Sequence, residues 1–277
     1  SSSATWALAG VWKLGSPIGT RCMMKYGGDL LILTYDGLLP LAQGLQSSRL
    51  DPRVALSNKI QGAIAQATTT YGGDHAAVGW QLLYSAKNNA LWINVPVQDN
   101  LQEQYVMNTI TQSWCNFTGW GAYCWENYSD DPYFGGDGFV AKAWDTSTYK
   151  DGGNNITTNV IQAFNYFDSR GVKKYFTRAR PTIFTSSYPS IVVGVNVDFE
   201  LVSNINPIAF PTYEAGAWDV GLWDTAVWGQ DLFVTSAWQG ITGIGYCAAL
   251  QFKSSSAGTP IQWTATDVVF QTGWPGI

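Results

Sequence analysis

The apolar positions along this chain fall mostly in short runs of four to eight residues, broken by Gly, Asp, Asn and Ser. That rhythm predicts strands and turns. Asp29–Thr34 and Gly37–Leu41 flank Tyr35-Asp36 and read as a hairpin, with Gly37 closing the turn. Trp80–Tyr84, Ala90–Val95 and Gln104–Asn108 follow, then Trp114–Phe117, Ala122–Glu126, Pro132–Phe134 and Gly138–Trp144. A second series reads Asn159–Phe167, Lys174–Thr177, Pro181–Thr185 and Ile191–Asp198, the last placing Val193, Val195, Val197 and Phe199 on one face. Leu232–Ser236, Ile244–Phe252 and Ile261–Phe270 complete it. One helix breaks the pattern: Asp51 caps it, Pro52 opens it, and Leu56, Ile60 and Ile64 share a face, giving an inserted helix over 52–67.

Strands spaced this way predict an all-β chain, a sandwich, barrel or propeller. Self-similarity favours the propeller. Gly27–Leu31 with Asp36–Leu38 resembles Tyr133–Val140, each a strand, a Gly/Asp turn and a strand, and Thr109–Trp120 reads as the link between blade strands. These amount to two or three blades where a closed ring needs about four to eight, so either further blades precede Ser1, which is the expectation, or the match is only a meander. Lys150–Asn155, KDGGNN, reads as a flexible linker or loop. It divides the chain into propeller-like blades over 1–150 and a β-sandwich-like region over 151–277. Ser1–Trp6 has neither a starting Met nor the basic and apolar stretches of a signal peptide, as expected of a processed chain or a piece of a longer one.

Composition narrows the chemistry. Of 277 residues 46% are hydrophobic and 13% charged, enough for a large core. No apolar run is long enough to span a membrane as a helix. The net charge of −5 is uneven. Arg170, Lys173, Lys174, Arg178 and Arg180 cluster within eleven residues, and Lys173, Lys174, Arg178 and Arg180 form the candidate basic contact, a solvated loop or a touch to an acidic neighbour subunit, with a phosphate-contacting patch as the third reading. From Pro181 onward a single Lys253 faces seven acids, about −6, which argues against a nucleic-acid-gripping face there.

The single histidine, His75, sits in a Gly/Asp loop and reads as solvated, so triads and multi-His metal sites have no basis. Nucleotide-binding glycine motifs are absent from the sequence. Glu126, Asp130, Asp131 and Asp137 could form a glycosidase pair beside Trp120, Trp125 and Tyr133, but Asp and Gly are also what turns require, and turn chemistry is the expectation. The four cysteines fit no zinc or disulfide scaffold. Cys115 and Cys124 are expected to be reduced and buried, although a hairpin could bring them together. No cofactor is expected. The 14 tryptophans fit packing better than sugar stacking.

Three stretches resemble one family, the virion proteins of the tail hub or nozzle of podovirus-type phages, related in role to packaged-DNA stabilisation proteins. They are GGDLLILTYDGLLPLAQ at Gly27–Gln43, QAFNYFDSRGVKKYFTRARP at Gln162–Pro181, and AWDVGLWDTAVWG at Ala217–Gly229, continued at Trp238–Tyr246 and Trp263–Trp274. The resemblance implies blades plus a β-rich C-terminal part in a ring, usually a hexamer, through which DNA passes without specific binding. It also implies portal-adaptor or tail-protein neighbours, a place in the virion tail after synthesis in the host cytoplasm, and no catalytic residues. Trp218, Trp223, Trp228 and Trp238 are the candidate interface or packing residues. Steps of five fit neither a helix face nor a strand face, so the first three mark a turning segment bent at Gly216, Gly221 and Gly229. The alternative is a glycan-binding or glycan-cleaving β protein using exposed Trp and an Asp/Glu pair.

Overall fold

The computed structural model describes residues 11, 14–44, 54–72, 79–98, 101–187, 189–201, 206–207, 215–216, 227–228 and 232–273. The protein is all-β, with one helix longer than a turn among the described residues, and it divides into two compact units, 1–144 and 145–277.

The first unit is built from three successive antiparallel meanders. Strands β1 (Met23–Tyr26), β2 (Asp29–Thr34) and β3 (Gly37–Pro40) turn at Gly27-Gly28 and at Tyr35-Asp36. Thr34 Oγ1 closes the second turn by accepting the Asp36 amide at 3.2 Å and donating to the Gly37 carbonyl at 3.1 Å. A single helical turn, α1 (Leu41–Gly44), is anchored by Asp29 Oδ1, which accepts the Ala42 amide at 2.9 Å. Strands β4 (Gln81–Ser85), β5 (Ala90–Gln98), β6 (Leu101–Asn108) and β7 (Trp114–Thr118) form the second meander. Strands β8 (Cys124–Tyr128), β9 (Asp131–Gly135) and β10 (Val140–Lys142) form the third. Each resembles a propeller blade in its up-and-down order, but the described residues close no ring of blades.

Strand β5 explains how these layers stack. Leu91, Ile93 and Val95 belong to one core with Leu31, Leu33, Leu38 and Ile64, whereas Trp92 belongs to a second with Trp125 and Phe134. Its sequence ALWINVPV is apolar nearly throughout because both faces are covered.

Helix α2 (Gln61–Tyr71) follows a 3-10 turn at Asn58–Ile60 and buries Ile64, Ala67 and Thr68. It therefore begins nine residues later than the expected start at Pro52, with Ile60 at its cap position and no side-chain cap. Leu56 lies in the turn before it, packing on the same core as Ile60 and Ile64. Asp51 and Pro52 lie outside the described residues.

The second unit is a sandwich. One sheet runs β11 (Ile156–Ile161), β19 (Ala248–Ser256), β13 (Ser190–Val197) and β14 (Asn206–Pro207). The other is centred on β12 (Lys174–Thr185), which pairs along one edge with β20 (Ile261–Thr272). Along the other edge it pairs first with β18 (Gln239–Gly245) and then with β17 (Phe233–Ser236). Phe176, Ala179 and Ile183 from one sheet meet Ile191, Val193, Leu250 and Phe252 from the other in a common core. Two-residue strands β15 (Ala215–Gly216) and β16 (Val227–Trp228) pair in parallel.

Three expectations change here. KDGGNN is the loop of the two readings, a tight turn whose Asp151 and Asn154 exchange backbone hydrogen bonds at 3.1 and 2.8 Å, but the unit boundary falls six residues before it. Lys174–Thr177 and Pro181–Thr185 are one twelve-residue strand. Phe199 leaves the alternation of β13 because Asp198 and Phe199 both take positive φ in a reversing turn, leaving Phe199 64% exposed.

Candidate functional site

Among the described tryptophans three are buried and four half-buried. Trp80, Trp92 and Trp125 are buried, with Trp92 stacked on Trp125 at 6.0 Å and edge-on to Trp144 at 5.5 Å. Buried indole N–H groups need partners, and Trp80 Nε1 donates to the Tyr71 carbonyl at 3.1 Å, Trp125 Nε1 to Asn94 Oδ1 at 2.9 Å. Around them lies a buried amide network. Gln81 pairs with the Trp125 backbone in both directions, at 2.6 and 2.9 Å, stitching β4 to β8. Asn94 donates to the carbonyls of Gly79 and Ala122 and accepts from Gln104 Nε2 at 2.9 Å. This network specifies how two meanders stack; isolated Gln and Asn in strand patterns gave no sign of it.

Of the candidate tryptophans, Trp218 and Trp223 lie outside the described residues. Trp228 is in β16, beside Gly216 of β15, a strand pair within the segment expected to turn. Trp238 is 45% exposed, and the Arg180 guanidinium lies 4.7 Å from its ring centroid.

The basic cluster does not converge on one face. Arg180 Nη2 and Nε hold Asp267 Oδ2 at 2.7 and 2.9 Å. Lys174 is turned inward at 1% exposure, so it is no surface contact. Its ammonium donates to the carbonyls of Ser169, of Val172 at 3.0 Å and of Tyr246 at 3.1 Å, which meets its capacity of three donors. Arg170 sits 5.0 Å over the Tyr166 ring and Lys173 lies 6.0 Å from that of Tyr246. Arg178 is exposed, beside a bulge in β12.

Of the four acids Asp130 and Asp137 lie in turns, while Glu126 is on β8 and Asp131 on β9. Ser129 and Asp130, with φ of 50° and 65°, make the two-residue turn between β8 and β9. Asp137 lies in the Gly-rich turn before β10, and Glu126 Oε1 accepts the Asn127 amide at 3.1 Å. Asp131 bridges Lys87 at 2.5 Å and Lys142 at 2.6 Å, and the hydrogen bond from Lys142, reinforced by Lys87, lowers its pKa below the ordinary aspartate value. His75 lies outside the described residues, and no group of three or more His, Cys, Asp or Glu among the described residues could hold a metal.

All four cysteines are free. Cys115 and Cys124 are exposed, not buried, and lie on β7 and β8, which belong to different sheets. The Cys115 sulfur is nonetheless tucked toward the Val106 carbonyl at 3.4 Å, and burial raises its pKa.

Strand β11 is a feature that the strand pattern located without revealing its character. It ends its sheet, and all six of its residues are exposed. The available signal was the uncharged, proline-free run from Gly152 to Phe167. Such an edge is a ready template for another strand. Among known families no model matches the chain, and no curated protein is significantly similar to it.

Proposed function

We propose that the chain is a non-enzymatic structural component of a short-tailed phage tail, a hub or nozzle subunit. In that role it assembles in a ring around the DNA conduit and holds neighbouring tail proteins. The observation that carries this reading is how the cations are spent. Four of the five basic residues in Arg170–Arg180 are occupied by aromatic rings, a carboxylate or backbone carbonyls within the same unit. Clustered free cations would hold passing phosphates and slow DNA; with Arg180 neutralised by Asp267 and Lys174 buried, fewer of these cations remain to do so. Negative-stain imaging of the purified protein is expected to show rings, and duplex DNA is expected to run unretarded past it at physiological salt. Tight DNA binding that survives added salt would overturn the proposal.

The glycan reading rests on Trp238, whose 45% exposure leaves indole surface free beside Arg180. Glycan-array binding that disappears in Trp238→Ala would favour it over the tail reading. Its hydrolytic version needs two free carboxyl groups flanking one bond, and Asp131 has both oxygens engaged by lysines.

A further inference from the structure

Strand β11 leaves one edge without a partner among the described residues. Its phase is fixed by the chain that follows it: the Gln162 amide donates to the Leu250 carbonyl at 2.9 Å, so even-numbered residues turn their backbone groups toward β19. Backbone direction alternates along a strand of an antiparallel ladder. Asn155, Thr157, Asn159 and Ile161 therefore aim their N–H and C=O groups outward. The side chains of Asn155 and Asn159 are held back over β19, on Ser255 Oγ at 3.1 Å and Gln251 Nε2 at 2.8 Å, leaving that backbone edge clear.

The side chains carry a second regularity. Ile156, Thr158 and Val160 lie opposite Ser256, Ser254 and Phe252 of β19, hence on the sheet face that holds the core. Yet Ile156 is 43% and Val160 40% exposed, while Phe252 is 2% exposed. The apolar face thus runs past the covered part of the sheet to its edge.

We infer that β11 is a self-complementary edge through which two copies of the chain pair antiparallel about Thr158, joining their sheets across a two-fold axis. Geometry selects the register. Two identical antiparallel neighbours are related by a two-fold axis perpendicular to the sheet, which preserves faces, so even residues oppose even residues. Centring on Thr158 places Ile156 opposite Val160 of the second copy, twice, with Thr158 facing itself between them. Centring one residue on, at Asn159, sets Thr157 against Ile161 and Thr158 against Val160, mixing polar with apolar. In the Thr158 register the outward backbone groups of Thr157 and Asn159 also meet as a hydrogen-bonded pair. Across the joined sheet the central row becomes Ser254, Thr158, Thr158, Ser254, flanked on each side by a row containing Phe252, Val160 and Ile156. A second copy is the fitting occupant because the run Gly152–Phe167 has no charge with which to select an unlike partner, while its aliphatic spacing matches its own reverse. The inference does not depend on the virion reading. An isologous edge closes on itself, so it joins two chains or two rings back to back, and any ring needs a separate contact.

The register can be tested by cross-linking, in a Cys115→Ser, Cys124→Ser background that removes the exposed thiols. A non-hydrogen-bonded antiparallel pair has Cα atoms about 4.5 Å apart, within the range of about 4.4–6.8 Å that a disulfide spans. Thr158→Cys is therefore expected to give a covalent dimer under a mild oxidant. Thr157→Cys, whose nearest copy is a diagonal neighbour, is expected to give little. Adding Val160→Lys to Thr158→Cys, and Val160→Lys alone in sedimentation, should abolish the dimer while far-UV circular dichroism shows the β fold intact. Equal cross-linking from positions 157 and 158, cross-linking from neither, or a dimer unaffected by Val160→Lys would each overturn the inference.

Discussion

Gly37 meets two constraints at once. Its φ is +118°, and an added Cβ would run into Ser57 Oγ, the acceptor of the Leu38 amide at 3.0 Å. Gly37→Ala should therefore destabilise the first unit by about 1–3 kcal/mol, read as a lower urea midpoint. The thiols give a map of burial that needs no spectroscopy. Cys124 is expected to react readily with a maleimide in the native protein, Cys115 more slowly because burial raises its thiol pKa, and Cys22 and Cys247 only after unfolding. Among the acids, Asp131 carries a pH signature. Its depressed pKa means that its contribution to stability is full above its unfolded value of ~3.9 and is lost as pH falls through the lower folded value. The stability gap between the native protein and Asp131→Asn, small because both ion pairs are solvent-accessible, should close only in that acid range, as urea titrations at successive pH values would show. Turn residues such as Tyr35-Asp36 and Asp130 were legible because their chemistry is local. Lys174 was not, because one of its three carbonyls belongs to Tyr246, 72 residues away.

At the scale of elements, strand positions were readable where burial follows a simple period, and β2, β5 and β13 start within a residue of their expected places. Strand β12 shows where that reading stops. The expected strands Lys174–Thr177 and Pro181–Thr185 left a break between them, yet the backbone runs on as one strand although proline cannot donate to a ladder. In the sheet, Pro181 sits where β12 passes from its pairing with β18, ending at Ala179, to its pairing with β17, starting at Thr182. Along that edge the proline falls between the two pairings, while on the other edge it stays in register with Thr266 of β20, and the strand continues. The candidate site was legible in the same partial way. Composition located the basic cluster, but whether its members converge depends on Trp238, Asp267 and Tyr246, which only the folded sandwich brings beside it. Strand β5 bears the largest expected mutational cost. Trp92 is fully buried between Trp125 and Trp144, so Trp92→Ala should cost about 3–5 kcal/mol in chemical denaturation and collapse the near-UV circular dichroism of the aromatic stack.

The whole molecule consists of two units, each with its own buried core, and this has a consequence for folding. In the second unit ten buried hydrophobic residues, from Phe176 to Phe252, form one cluster drawn from both sheets of the sandwich. A core assembled within one stretch of chain can fold without the rest. The sequence suggested this division through KDGGNN, but glycines at Gly152 and Gly153 served φ values of 54° and 94° in a tight turn, and the turn belongs to the second unit. A fragment cut at 150 would lose Tyr149, whose carbonyl accepts the Gly258 amide at 3.0 Å. The chain from 145 to 277 keeps it. That fragment is expected to give a β-type far-UV spectrum and a single cooperative melt, while the fragment from 151 should melt lower. Equal melting of the two would show that the Tyr149 contact contributes nothing, and an unfolded 145–277 fragment would show that the sandwich core depends on the first unit.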